Sequence, residues 1–300
     1  MEINTQRLAG SLLSIAFIVI VIGSYVIVAQ EAVTGTWKAN TDTGKHAKQG
    51  EINLHFERQS AKGDRGQFGH SFAYSELDGL GPNANGPVSF RLVREAGTIL
   101  CEGTFSSGRG SGTFTFQPNQ SFVSGMQARG YNLSAEKQFA SATIDLTLSY
   151  VDELRSLGFG ELDLGDIIKG RIFNVTQQFV SEMRSSGFGN LGLDELVKAR
   201  IFKISADYAR EVAAMGFDNS DFEALVKFRI FKVTPEFLGS LRAEGFTNLT
   251  AEQVVKFRIF KIDADYIRSA KASDPNVTVE DLVRMKIGVH RRGHDDDNDD

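Results

Sequence analysis

Between Tyr150 and Ile262 the sequence repeats every 29 residues without a slip, a constraint that few folds satisfy. Gly158-Phe159, Gly187-Phe188, Gly216-Phe217 and Gly245-Phe246 keep step with Arg171-Ile172, Arg200-Ile201, Arg229-Ile230 and Arg258-Ile259. The aromatics Tyr150, Phe179, Tyr208, Phe237 and Tyr266 follow the same step. A fixed period of this length marks a solenoid, whose units cannot bury their apolar faces alone and stack on one another. Phe122 and Gly130-Tyr131 form a degenerate earlier copy, and Asp281 to Ile287 is a shortened echo of Ala224 to Ile230, so the array has about six units.

The unit from Val233 to Lys261 reads as a helical hairpin. Thr234 caps a first helix, Pro235 takes its first position, where a missing N–H costs nothing, and Gly245 ends it in the left-handed conformation. Thr250 opens a second helix and Gln253 completes a capping box. Asp221 and Thr278 take the second cap in other copies, and Ser205 and Asp263 the first. Helices this short are marginal alone in water and depend on stacking.

Residues 34 to 117 change register to period-two alternation broken by Gly, Asn, Asp and Ser. Six strands are predicted: Thr34 to Asn40, Glu51 to Arg58, Gln67 to Leu77, Pro87 to Arg94, Thr98 to Phe105 and Ser111 to Phe116. The last three, separated by Glu95-Ala96-Gly97 and by Ser106 to Gly110, form an antiparallel meander. Gly35-Thr36-Trp37 resembles the first strand of lipocalin-like barrels, which makes Trp37, Phe72, Phe90 and Phe105 a candidate ligand pocket. A barrel that encloses a ligand needs about eight strands, so a sheet packed on the first helical unit is the expectation.

The fold class is therefore α+β: an antiparallel β module (30–117) followed by an αα-hairpin solenoid (118–290). Ahead of these, Leu8 to Ala29 runs for 22 residues without a charge, long enough at about 1.5 Å per residue to cross a bilayer core. Residues 1–29 are read as a hydrophobic helix acting as signal peptide or membrane anchor, which places the rest in the bacterial cell envelope, extracytoplasmic, as a single-pass anchored or secreted protein. The tail 291–300 is an acidic, disordered end. Cys101 is the only cysteine, so no internal disulfide exists, and its alternation with Ile99 and Phe105 marks it as a buried thiol.

A net charge of −5, with cations spread among acids, points away from nucleic acid. In the second helix of the unit the apolar set Ala251, Val254, Val255, Arg258 and Ile259 places an arginine inside the stripe. Arg171, Arg200, Arg229 and Arg258 are thus candidates for an inter-repeat clamp or for capture of an acidic partner, their donors needing carboxylates or carbonyls. Phe228 and Phe257 flank the same helix as core residues or, if exposed, as a partner-binding strip. No catalytic, cofactor or metal constellation can be assembled: His46, His55, His70, His290 and His294 include no H-E-x-x-H. Gly108-Arg109-Gly110-Ser111-Gly112 precedes no helix and reads as a flexible hairpin rather than a phosphate loop.

The copy VTPEFLGSLRAEGFTNLTAEQVVKFRIFKI resembles repeats in the extracytoplasmic C-terminal part of bacterial membrane metallopeptidases related to β-lactam-sensing antirepressors. GPVSFRLVREAGTILCEGTFSSGRGSGTFTFQPNQSFV resembles the strand segment that introduces those repeats, so the likeness covers roughly residues 34 to 290. The chain departs from that family in its single hydrophobic segment, in lacking the zinc motif, and in Phe231-Lys232 where His-Gly is expected before the next unit. The resemblance implies architecture and side of the membrane without peptidase activity. The expected function is a non-enzymatic scaffold or sensor appendage that binds another envelope protein, with no cofactor. The alternative is a β module that binds a small ligand, with the solenoid as spacer or relay.

Overall fold

The computed structural model describes residues 33–41, 50–59 and 65–288. The apolar segment 8–29, His46, His290, His294 and the acidic tail lie outside them. The described chain is α+β: a curled, seven-stranded antiparallel sheet followed by twelve helices. No helix among the described residues is long and apolar enough to cross a membrane.

The strands are β1 (Val33–Asn40), β2 (Glu51–Gln59), β3 (Arg65–Ala73), β4 (Leu77–Asp78), β5 (Gly86–Arg94), β6 (Gly97–Ser106) and β7 (Arg109–Pro118). They lie in the order β3-β2-β1-β7-β6-β5-β4, so the predicted meander is extended by β1 on the far side of β7. Seven strands replace the predicted six because the run from Gln67 to Leu77 breaks at Tyr74–Glu76. There the Glu76 carboxylate accepts the Ala73 N–H at 2.8 Å and pairs with Arg94, which turns the chain before Leu77 is buried.

Gly110 and Gly112 do not belong to a flexible loop. The turn is Ser107-Gly108, both at positive φ, as a two-residue hairpin requires, and the glycines that follow lie within β7. Trp37 pairs with Gly112, and Gly112 pairs with Gly103 of β6. A Cβ on Gly103 would stand 2.6 Å from the Trp37 ring, and one on Gly112 would stand 1.9 Å from the Glu102 carbonyl oxygen. The indole lies where two missing side chains leave room, and its Nε1 donates to Glu102 O at 3.1 Å.

The helices are α1 (Gln120–Ala128), α2 (Ala135–Thr143), α3 (Leu148–Ser156), α4 (Leu164–Ile172), α5 (Gln177–Ser185), α6 (Leu193–Phe202), α7 (Ala206–Ala214), α8 (Phe222–Ile230), α9 (Pro235–Ala243), α10 (Ala251–Ile259), α11 (Ala264–Ser273) and α12 (Val279–Lys286). Helix α2 seals the sheet: Phe139 stacks on Phe114 with ring centres 4.9 Å apart and meets Phe56, Phe68 and Phe116 edge-on. One continuous apolar core runs from Val33 in the sheet to Val255 in α10, and a second joins α9 to α12. Even-numbered helices from α4 to α12 are successive neighbours, α4 with α6, α6 with α8, and so on.

Caps fall where the sequence places them. Thr234 accepts the Phe237 N–H, Pro235 stands in the first turn, and Thr250 and Gln253 form the capping box. Ser205, Asp221, Asp263 and Thr278 cap their helices likewise. Gly192, at the cap of α6, offers no side chain.

Candidate functional site

The even-numbered helices end alike. After α8 the Val233 N–H bonds Phe228 O at 2.9 Å and the Lys232 N–H bonds Arg229 O at 3.3 Å, the pair of bonds that defines a Schellman end. This end needs one residue at positive φ, usually glycine. Here Asp145, Asn174, Lys203, Lys232 and Lys261 take it, with φ between 52° and 54°. The Phe231-Lys232 departure from the resembled family therefore keeps a left-handed turn, with a lysine beside the helix C-terminus, where the dipole favours a cation.

The four predicted arginines reach backward along the chain. Arg171 Nε donates to Asp145 O at 2.8 Å and Arg258 Nε to Phe231 O at 2.8 Å; Arg229 reaches Lys203 O at 3.3 Å. These acceptors are carbonyls left over at the preceding helix ends. Each guanidinium also faces an aromatic ring: Arg171 over Tyr150, Arg200 over Phe179, Arg229 over Tyr208 and Arg258 over Phe237, at 5.6, 3.8, 3.7 and 4.7 Å from the ring centres. Lys286 over Tyr266, at 4.0 Å, occupies the same place in the shortened last copy. Arg200 differs from the others. Its Nε is buried without a hydrogen bond, and desolvation lowers the guanidinium pKa below its usual value.

A second set of cations was not singled out from the sequence. Arg155, Arg184, Arg242 and Lys271 donate to Arg129 O, Leu157 O, Met215 O and Glu244 O, each the cap residue of the preceding odd-numbered helix. These positions also recur at multiples of 29, with Ala213 as the gap, so the signal was present in the sequence.

Phe228 and Phe257 are buried, at 1% and 0% exposure, and form no surface strip. Their rings meet Phe217 and Phe246 edge-on. Besides Val93 and Met285, the large apolar side chains that face water among the described residues are Ile172, Ile201, Ile230, Ile259 and Ile287, between 47% and 55% exposed. Ile259 was assigned to the buried stripe, and the structure turns it outward. At 100° per residue Phe257 and Ile259 stand on opposite sides of α10, and Val254, Val255 and Phe257 take the interior.

Two open clefts lie at the ends of these even-numbered helices. One, of about 400 Å³, is bordered by Phe179, Glu182, Arg200, Lys203 and Arg229; the other, of about 380 Å³, by Ile230, Lys232, Phe237, Arg258 and Lys261. Among the described residues the side-chain amines of Lys203, Lys227, Lys232 and Lys261 have no ion-pair or hydrogen-bond partner. Lys169 and Lys198 are neutralised by Asp194 and Glu223 of the next even helix, both at 2.7 Å.

The four predicted ligand residues are all interior. Trp37 packs on Phe90 and Phe105 at 5.1 and 5.7 Å, whereas Phe72 belongs to the cluster around Phe56. Phe72 borders a cleft of about 590 Å³ with Phe68, His70, Ile144 and Arg171, and Phe105 borders a separate one with Tyr74 and Asn83. These two clefts share no residue. Burial pushes the Cys101 thiol up to about 12, and desolvation lowers the pKa of His70, whose ring stacks on Phe72. No group of three or more His, Cys, Asp and Glu among the described residues is arranged to hold a metal ion.

Comparison with protein families, with characterised proteins and with solved structures finds no match to this chain.

Proposed function

We propose that the protein is a non-enzymatic scaffold of the bacterial cell envelope that binds another protein through its helices, tethered or exported by residues 8–29. On this reading the twelve helices are six stacked αα-hairpin units of a solenoid. Arg171, Arg229 and Arg258 are clamps between units rather than ligand-binding groups, since each donates to a carbonyl of the preceding unit and lies over a ring of its own. The observation that carries the binding function is the row of five exposed isoleucines at matched positions on successive neighbouring helices, since apolar side chains left in water in a repeated row are the kind of surface a partner covers. Side chains whose only task was to hold the stack would be buried, as Phe228 and Phe257 are.

A photo-reactive amino acid placed at Lys227 on α8 and, separately, at Ser111 on β7 tests this in intact cells of the native host. Specific cross-linking of one envelope protein from position 227 and none from 111 is the expected result. Cross-links from 111 alone would overturn it.

A second reading, a small-ligand site on the sheet, rests on the cleft bordered by Phe68, His70, Phe72 and Arg171. It predicts a small molecule that co-purifies with the chain and is lost when Phe68 becomes Asp.

A further inference from the structure

We infer that the exposed row at the ends of α4, α6, α8, α10 and α12 is a docking groove for an acidic polypeptide segment in polyproline II conformation, with an apolar side chain at every third residue. The inference rests on the reading of the helices as a protein-binding surface and names the partner that surface fits.

Spacing is the first argument. Neighbouring packed helices lie about 8–10 Å apart, so isoleucines at equivalent places on successive even helices recur at that distance. A polyproline II segment has three residues per turn and rises about 3.1 Å per residue, so every third side chain returns to the same face about 9 Å on and meets the next isoleucine. Two intervening residues then lie over each cleft between helix ends.

Charge is the second. The clefts between these ends are bordered by Arg200, Lys203 and Arg229, and by Lys232, Arg258 and Lys261. The side-chain amines of these lysines have no partner among the described residues, and Arg200 Nε is buried without an acceptor. Acids at the same end are engaged: Glu182, at the first cleft, accepts from Gln178 Nε2 and faces Arg200, Asp207 pairs with Arg210, Asp265 with Arg268, and Asp263 accepts the Tyr266 N–H. Carboxylates at the intervening positions would pair with the exposed amines of Lys203, Lys232 and Lys261.

Width separates a peptide from a membrane. On α8 the side chains of Glu223, Lys227 and Ile230 follow one another at i, i+4 and i+7, along one face of the helix. Asp194, Glu252 and Glu280 open the neighbouring even helices in the same way. A flat anionic bilayer laid on the isoleucines would also meet these acids, of which Asp194, Glu223 and Glu252 pair with Lys169, Lys198 and Lys256 and cancel the cations beside them. A single polypeptide segment is narrow enough to cover the isoleucine row alone.

The test uses the full chain and a fluorescent 15-residue peptide, five repeats of Leu-Glu-Asp, followed by anisotropy. Comparison peptides have the same composition with the leucines consecutive, or lysine in place of every acid; vesicles of phosphatidylglycerol form a further arm. The spaced acidic peptide should bind at least about tenfold more tightly than either comparison peptide, a difference of about 1.4 kcal/mol. The triple substitution I201S/I230S/I259S, at half-exposed positions, should weaken it about tenfold with the thermal transition kept. The substitution K203Q/K232Q/K261Q should weaken it and flatten its salt dependence. Equal affinity for spaced and clustered peptides, unchanged binding by both triple variants, or vesicle binding without peptide binding would overturn the inference. Should a protein still cross-link through position 227 while the spaced peptide fails to bind, this groove assignment falls and the scaffold reading stands.

Discussion

The guanidinium of Arg229 lies 3.7 Å from the centre of the Tyr208 ring, 21 residues earlier in the chain. The same 21-residue step pairs Arg171 with Tyr150, Arg200 with Phe179 and Arg258 with Phe237. Each pair ties an even helix to the odd helix just before it, while Arg171, Arg229 and Arg258 also donate to a carbonyl at the end of the preceding even helix. One side chain thus joins three helices, which is why a charge is tolerated at the edge of an apolar stripe.

Arg258→Lys keeps the charge and loses the planar fork that serves both the ring and Phe231 O. A loss of about 1–2 kcal/mol in urea unfolding is expected. Arg200→Lys, which gives up no Nε hydrogen bond, should cost less. Equal losses at the two positions would show that the carbonyl contact contributes nothing.

Lys232 and Lys261 hold φ of 52°, a conformation that costs an L-residue about 1–2 kcal/mol and glycine almost nothing. Lys232→Gly should therefore stabilise the chain by up to about 1 kcal/mol, after the entropy glycine loses on folding. Lys232→Val, β-branched at positive φ, should destabilise it. Thermal unfolding of the two variants gives opposite shifts.

Gly112→Ala places a Cβ 1.9 Å from a backbone oxygen, so the β6–β7 ladder or the indole must move. A loss of about 3 kcal/mol or more is expected, with a red-shifted emission from Trp37, the only tryptophan. Gly239→Ala, where a Cβ meets open space on an α9 helix, should be neutral or slightly stabilising and serves as control.

Burial raises the Cys101 thiol to about 12, so the folded state holds it protonated at pH values where the unfolded chain has already lost the proton. This contribution is complete below the ordinary thiol range near 9 and is lost as pH rises from there toward 12. Unfolding free energy of the native chain should fall with pH across that window by up to about 1.4 kcal/mol per unit more than that of Cys101→Ala. Parallel pH profiles of the two proteins would contradict the burial of the thiol. A disulfide reagent at pH 8 should react with the unfolded chain only.

Much of the local structure was legible because its causes are local. Thr234, Pro235 and Gly245 act within a turn of the atoms they cap, so the ends of α9 followed from the residues alone. Thr250 and Gln253 did the same for α10. The cations Arg155, Arg184, Arg242 and Lys271 were equally periodic, yet their partners lie 26 or 27 residues away, and periodicity does not say which way a side chain points. The break at Tyr74–Glu76 escaped for a similar reason. It depends on Arg94, 18 residues on, meeting Glu76 across the sheet.

The residues by themselves determined the 29-residue step, the short capped helices and the alternation of the strands, because capping, turn geometry and periodicity act over a few neighbours. Only the tertiary structure decided that β1 lies between β2 and β7, that Trp37 rests over Gly103 and Gly112, and that Phe257 goes inward while Ile259 faces water. Both are apolar and two positions apart on one helix; their fates differ because a helix has one buried side, and its neighbours choose which side that is.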